Sequence, residues 1–130
     1  STNAADKPNI KPPSDSRYVL QMSPGERAEF LAEMRSMMGS IQNIMIGIGS
    51  SDRKLIAEFA RISGNKMARA TPPAVRARLP AAFQDLGGPT HLMFEELVIR
   101  ADTDEMDMLA SYTGKLMSQC MACHAAFRVH

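Results

Sequence analysis

Tryptophan is absent from this chain, aromatic residues are few, and there are only two cysteines. The lack of a second cysteine pair argues against a structural zinc site, which needs four nitrogen or sulfur ligands. No apolar run approaches the roughly 20 residues that a membrane-spanning helix needs. The net charge is only +1, so no strong field would gather nucleic acid or an anionic membrane surface. The 130 residues suffice for one domain with one modest core.

The two cysteines lie near the C-terminus, in the pattern Cys120-Met121-Ala122-Cys123-His124. CxxCH is the attachment signature of a c-type haem, in which two thiols add across vinyl groups and the imidazole binds iron. Residues three and four apart share one face of a helix, so all three side chains can reach one macrocycle. The motif therefore predicts one covalently attached haem c, held by Cys120, Cys123 and His124.

A redox-active dithiol without haem is the competing interpretation of this motif. Such a pair normally begins a helix that follows a strand, because the helix dipole there lowers the pKa of the thiol. Here the motif ends a long helical pattern, and no strand is predicted before it. The composition also suits a haem, since the eleven methionines can fill irregular gaps or ligate iron.

Four amphipathic helices are predicted from apolar residues at spacings of three and four, and no strand-like alternation is visible. The first begins with the capping box of residues 23–26 and continues to Gly49. The second begins at Ser51 or Asp52, and prolines stop it near Thr71.

Residues 71–89 follow the second predicted helix. They are rich in proline and glycine and predict an irregular crossover. A third helix is predicted from Pro89, and a fourth from Thr103 or Asp104 through the haem motif. Short connections within each pair of helices favour an all-α, antiparallel up-down-up-down four-helix bundle with a C-terminal haem site.

Two segments divide the chain. Residues 1–22 contain three prolines and predict an extended N-terminal arm, whose apolar end either docks onto the bundle or stays a mobile tail. Residues 23–130 form the predicted cytochrome domain. The sequence begins at Ser1 without methionine, and we expect that a signal peptide has been removed from it.

The closing stretch, Cys-Met-Ala-Cys-His-Ala-Ala-Phe-Arg, resembles the CxxCHxx(Tyr/Phe)Arg ending of the cytochrome c-prime family. The likeness covers residues 23–130, although the methionine-rich first helix and the long crossover depart from the family's usual pattern. It implies a periplasmic mono-haem protein, often a homodimer. One branch of that family has five-coordinate iron and binds NO or CO. The other branch has a methionine of the first helix as sixth ligand and resembles an electron carrier.

Helix geometry narrows the choice of a sixth ligand. In an antiparallel pair, His124 near the end of the last helix faces the first turns of the first helix, at the level of Leu31 and Met34. Met38 lies a turn deeper, and Met45 lies roughly 16 Å beyond Met34, out of reach. The ligand position of the methionine-ligated relatives corresponds best to Met34. Ligation by Met38 and an open face capped by Leu31 stay as alternatives.

Three further residues are candidates for contacts at the haem. His91 could ligate iron, although such a residue is more often hydrogen-bonded to a loop or a propionate. Phe127 is expected to pack on the imidazole or the haem edge. The resemblance implies that Arg128 lies near the proximal face, where its charge would lower the electron density of iron or pair with a propionate; a solvated arginine is the alternative.

These observations predict a periplasmic one-electron carrier, not an enzyme, with His/Met-ligated low-spin haem. Its expected partners are redox proteins, with no nucleic acid or membrane, and the resemblance alone suggests a homodimer. The alternative function is a five-coordinate, cytochrome c-prime-like protein that binds NO or CO.

Overall fold

The computed structural model describes residues 8–130, and this part of the chain is mostly helical. The first seven residues of the predicted N-terminal arm lie outside that range. None of the described helices combines the length and the apolar character that crossing a membrane requires. The elements, in chain order, are β1 (Tyr18–Leu20), α1 (Pro24–Gly49), α2 (Arg53–Ile62), α3 (Asn65–Arg69), α4 (Pro73–Arg78), α5 (Ala81–Thr103), α6 (Met106–Ala126) and β2 (Phe127–Val129).

The start of α1 confirms the predicted capping box. Ser23 Oγ accepts a hydrogen bond from the amide of Glu26 over 3.2 Å, and the Glu26 carboxylate accepts one from the amide of Ser23 over 2.9 Å. Pro24 takes the first helical position, where no amide donor is needed. At α2 the cap is Asp52, whose carboxylate accepts from the amide of Leu55.

The predicted crossover over residues 71–89 is wrong in its second half. α4 forms within it, and α5 begins at Ala81 with Pro89 inside the helix. Proline costs an interior helix one hydrogen bond, but α5 continues through Pro89 and buries Phe83 before it and Thr90 after it. The Thr90 hydroxyl also donates to the carbonyl oxygen of Leu86 over 2.7 Å.

The predicted start of the last helix is also corrected. Thr103 belongs to α5, Asp104 is the C-cap of that helix, and Glu105 is the N-cap of α6 without a side-chain hydrogen bond. The helix then runs unbroken through the whole haem motif, as the sequence predicts.

The core lies between α1, α2, α5 and α6. α1 packs on α2, α2 on α5, α5 on α6, and α6 returns to α1. At Gly47 of α1 an added Cβ would lie 2.7 Å from Ile56 Cγ1, so α1 and α2 approach closely there. The largest completely buried apolar side chains are Phe94, Ile44, Ile56, Leu97, Leu109 and Leu116.

Residues 18–20 of the predicted N-terminal arm dock onto the C-terminal end of the chain. β1 pairs in parallel with β2, with Tyr18 opposite Phe127. Leu20 is 3% exposed and packs with Phe83 and Phe127 in a second, smaller apolar cluster. Of the two possibilities left open for the arm, docking is therefore the one found, and the all-α prediction lacks this short sheet. Strands of three residues are too short to leave a readable alternation.

Candidate functional site

The CxxCH motif occupies the last turns of α6. The smaller apolar cluster of Leu20, Phe83 and Phe127 lies beside it. Cys120 and Cys123 are partly buried, whereas His124 is exposed. Because α6 is a regular helix here, the three side chains share the face that the spacing predicts. That face is turned toward α1 and the start of α5.

Two cavities, of about 260 and 90 Å³, lie against this face. They adjoin, because both are lined by Phe30, Met34, Phe83, Cys123 and His124. The larger cavity also reaches Arg17, Leu31, Phe127 and Arg128. The smaller cavity also reaches Met37, His91 and Cys120. The lining is mainly apolar, as a site for a large flat ring requires.

The two methionines of α1 that the sequence suggests as iron ligands differ in their position relative to the cavities. Met34 is partly buried and lines both cavities. Met38 is 68% exposed and lines neither, so the candidate ligand Met38 is placed away from the site. Met38 is exposed because it lies on a different face of α1 from the buried residues Ser40 and Ile41. Met37, which is not among the predicted ligands, lines the smaller cavity instead.

Both thiols are free, and burial affects the pKa of each. Burial raises the pKa of Cys120 above its usual value. Burial also raises the pKa of Cys123, and the nearby Cys120 adds to the effect. A reactive dithiol needs the opposite, a lowered pKa in an electropositive setting. The interpretation as a redox dithiol therefore loses support.

Aromatic rings form one wall of the site. Phe83 lies between Phe30, at a ring distance of 5.9 Å, and Phe127, at 5.4 Å. Phe127 lines the larger cavity together with His124, and its packing on the imidazole or the haem edge stays a prediction. Phe30 and Phe83 are missed as site residues, and Phe83 is missed because the prediction places it in an irregular crossover. The spacing of Phe83 and Leu86 is the helical signal that could have found it.

His91 is held by a hydrogen bond to a neighbouring turn, as the sequence favours over iron ligation. Its Nδ1 lies 2.7 Å from the carbonyl oxygen of Ser63, while the ring lines the smaller cavity. Glu33 lies at the same cavity, where burial raises the pKa of its carboxyl and the charge of His91 acts in the opposite direction.

Arg128 lines the larger cavity and lies near the carboxylate of Asp15. Its Nε is 3.5 Å from Asp15 Oδ2, but this buried atom has no hydrogen-bond partner among residues 8–130. A buried donor without an acceptor is rare in folded proteins. Within the same range, no group of three or more His, Cys, Asp or Glu side chains is arranged to hold a metal ion.

No protein-family model, curated protein or solved structure matches this chain. The likeness to the cytochrome c-prime family therefore depends on the C-terminal motif and the helix pattern alone.

Proposed function

We propose that this protein is a mono-haem c-type cytochrome that carries single electrons. The observation that supports the proposal most strongly is that Met34 of α1 lines the same cavities as Cys123 and His124 of α6. A thioether sulfur, an imidazole and a thiol thus meet at one apolar site. These are the donor groups by which proteins hold haem c.

The residues present fit the proposed haem. The neutral, partly buried thiols of Cys120 and Cys123 would each add across a vinyl group to give a thioether bond. The Nε of Arg128, which has no hydrogen-bond partner among residues 8–130, could donate to a haem carboxylate. The aromatic wall of Phe83 and Phe127 would exclude water from one edge of the site.

Each ligand has a separate role in electron transfer. When bound, the haem supplies an iron that changes oxidation state by one electron. His124 would hold the proximal position. Met34 would hold the distal position, where its soft, neutral sulfur favours reduced iron and raises the potential. The exposure of His124 keeps the site near the surface, within reach of a redox partner.

The packing supports the bundle that the sequence predicts. α1, α2, α5 and α6 contact one another in a closed ring, and this is the neighbour order of an up-down-up-down bundle. The parallel pairing of β1 with β2 brings the start of α1 to the end of α6, which supports an antiparallel arrangement of these two helices. The resemblance further implies a periplasmic location and a homodimer.

A second candidate function is the binding of NO or CO by five-coordinate iron. Leu31 favours it, because this side chain also lines the larger cavity beside His124 and could cap an open face. The alternative differs from the first proposal only in whether Met34 is bonded.

An absorption spectrum of haem-loaded protein tests the proposal. Low-spin His/Met iron gives sharp, split bands when reduced and a weak far-red sulfur-to-iron band when oxidised. Broad high-spin bands with rapid binding of CO would favour the gas-binding function instead. Colourless protein from cells that attach haem c would contradict both functions.

A further inference from the structure

The carbonyl oxygen of His124 is bonded by a side chain from the N-terminal arm. Arg17 Nη1 donates to this oxygen over 3.2 Å, across 107 positions of sequence. α6 ends at Ala126, so the carbonyl lies in the last turn, where oxygens lack amide donors within the helix. The amide of Phe127 returns to the oxygen of Cys123, not to that of His124. Arg17 therefore satisfies an acceptor that the helix leaves open.

Asp15 fixes the guanidinium in this position. Its carboxylate accepts hydrogen bonds from the Arg17 amide, Nε and Nη2 over 3.1, 3.0 and 2.8 Å. These bonds hold the pKa of the Asp15 carboxyl well below its usual range. A paired, planar guanidinium loses less freedom on binding a carbonyl than a solvated one does.

β1 fixes the backbone immediately after Arg17. Tyr18 pairs with Phe127, and their rings meet edge to face at 6.1 Å. Leu20, at the end of the strand, is buried. The segment that carries Arg17 is thus attached to the residues that directly follow α6. Its position is set by this pairing and does not depend on a free loop.

We propose that Arg17 is a positioning residue for His124, acting as a C-terminal cap of α6 that the N-terminal arm supplies. This proposal depends on the haem function proposed above and concerns the control of its proximal ligand. The positive charge of Arg17 also suits the negative end of the helix dipole. Without Arg17 the last turn of α6 frays, and the imidazole loses its single orientation while the thioether bonds keep the haem attached.

The experiment compares Arg17→Gln and Arg17→Lys with the control Arg27→Gln. Arg27 also donates to a backbone carbonyl of the C-terminal segment, that of His130, which lies beyond α6. The rate of hydrogen exchange over residues 120–130 measures the fraying of the helix end. Electron paramagnetic resonance of the oxidised, haem-loaded protein reports the orientation of the imidazole.

We expect Arg17→Gln to speed exchange in this segment by about tenfold, the effect of losing one charge-assisted hydrogen bond. The variant also shows a second set of g-values. Arg17→Lys keeps a cationic donor, so both effects are smaller. Arg27→Gln leaves the exchange of the last α6 turn and the g-values unchanged.

Three results would overturn the proposal. Unchanged exchange in Arg17→Gln would show that Arg17 is not a cap. Faster exchange with one unchanged set of g-values would show a cap without influence on the imidazole. A wild-type chain without attached haem would overturn the proposed function, and with it the positioning of an iron ligand. Exchange measured on that haem-free chain would still test the cap separately.

Discussion

Met34 and His124 line the same two cavities, although they come from the first and the last long helix of the chain. α1 and α6 are neighbours, and the paired strands β1 and β2 hold their meeting ends together. Met34 and His124 are therefore the residues that would hold the iron of the proposed haem. Under the proposed function, bonding by Met34 would distinguish electron transfer from gas binding.

Replacing Met34 with alanine should convert the low-spin spectrum to a five-coordinate, high-spin one, because alanine offers no ligand atom. Absorption spectroscopy of the oxidised protein follows the loss of the sulfur-to-iron band. The matched control is Met38→Ala, which removes an exposed methionine of the same helix and should leave the spectrum unchanged. A Met34→Ala protein that is still methionine-ligated would exclude Met34 as the ligand.

The double variant Cys120→Ala/Cys123→Ala should lose the attached haem and leave a loosened bundle, because the cavities beside α6 then lack the group that fills them. A broad thermal transition at lower temperature, followed by circular dichroism, is the expected result. Met121→Ala changes the exposed residue between the two cysteines and should keep both haem and stability. A sharp, unchanged transition in the double variant would show that stability does not depend on haem.

Gly47→Ala should destabilise the fold by about 2 kcal/mol, because its new methyl group would overpack the contact between α1 and α2. The added Cβ would lie 2.7 Å from Ile56 Cγ1 and 3.1 Å from the carbonyl oxygen of Asp52. Gly39→Ala, in the same helix, meets nothing within 4 Å and should stabilise by up to about 1 kcal/mol through helix propensity. Denaturant unfolding measures both changes. Equal effects of the two variants would contradict the close approach.

Glu26 should contribute to the acid sensitivity of the fold. The ion pair with Arg78, followed by the capping hydrogen bond to Ser23, lowers the pKa of Glu26 from 4.5 to about 2. A lowered folded-state pKa means that this stability is complete above the unfolded-state pKa and disappears as the pH falls toward 2. Glu26→Gln keeps a side chain that can complete the capping box but removes the charge.

Unfolding measured from pH 5 to about 2 should therefore show a shallower loss of stability for Glu26→Gln than for wild type. The matched control is Glu29→Gln, which removes the charge of an exposed glutamate in the same helix. Identical pH profiles for Glu26→Gln and wild type would mean that the ion pair and the cap do not stabilise the fold.

Local patterns in the sequence are sufficient for much of this fold. The capping box at Ser23 and Glu26, the long α1 and the helix that continues through the haem motif are predicted and confirmed. These features depend on residues within a few positions of one another. The buried residues of α6, among them Leu109 and Leu116, follow the same local periodicity.

The features that the sequence does not reveal all depend on distant contacts. Pro89 predicts the start of a helix after an irregular segment, whereas α5 already begins at Ala81 and has buried residues on both sides of the proline. The pairing of β1 with β2 joins the two ends of the chain. The hydrogen bond from Arg17 to His124 does so too, and neither arginine nor histidine carries a local signal for it.

The most direct test of the central claim is the mass of the denatured, purified chain from cells that attach haem c. Wild-type protein should be heavier by one haem, with the added mass on the peptide that contains Cys120 and Cys123. The variant Cys120→Ala/Cys123→Ala should lack this mass. An unmodified wild-type chain with two free thiols would contradict the account.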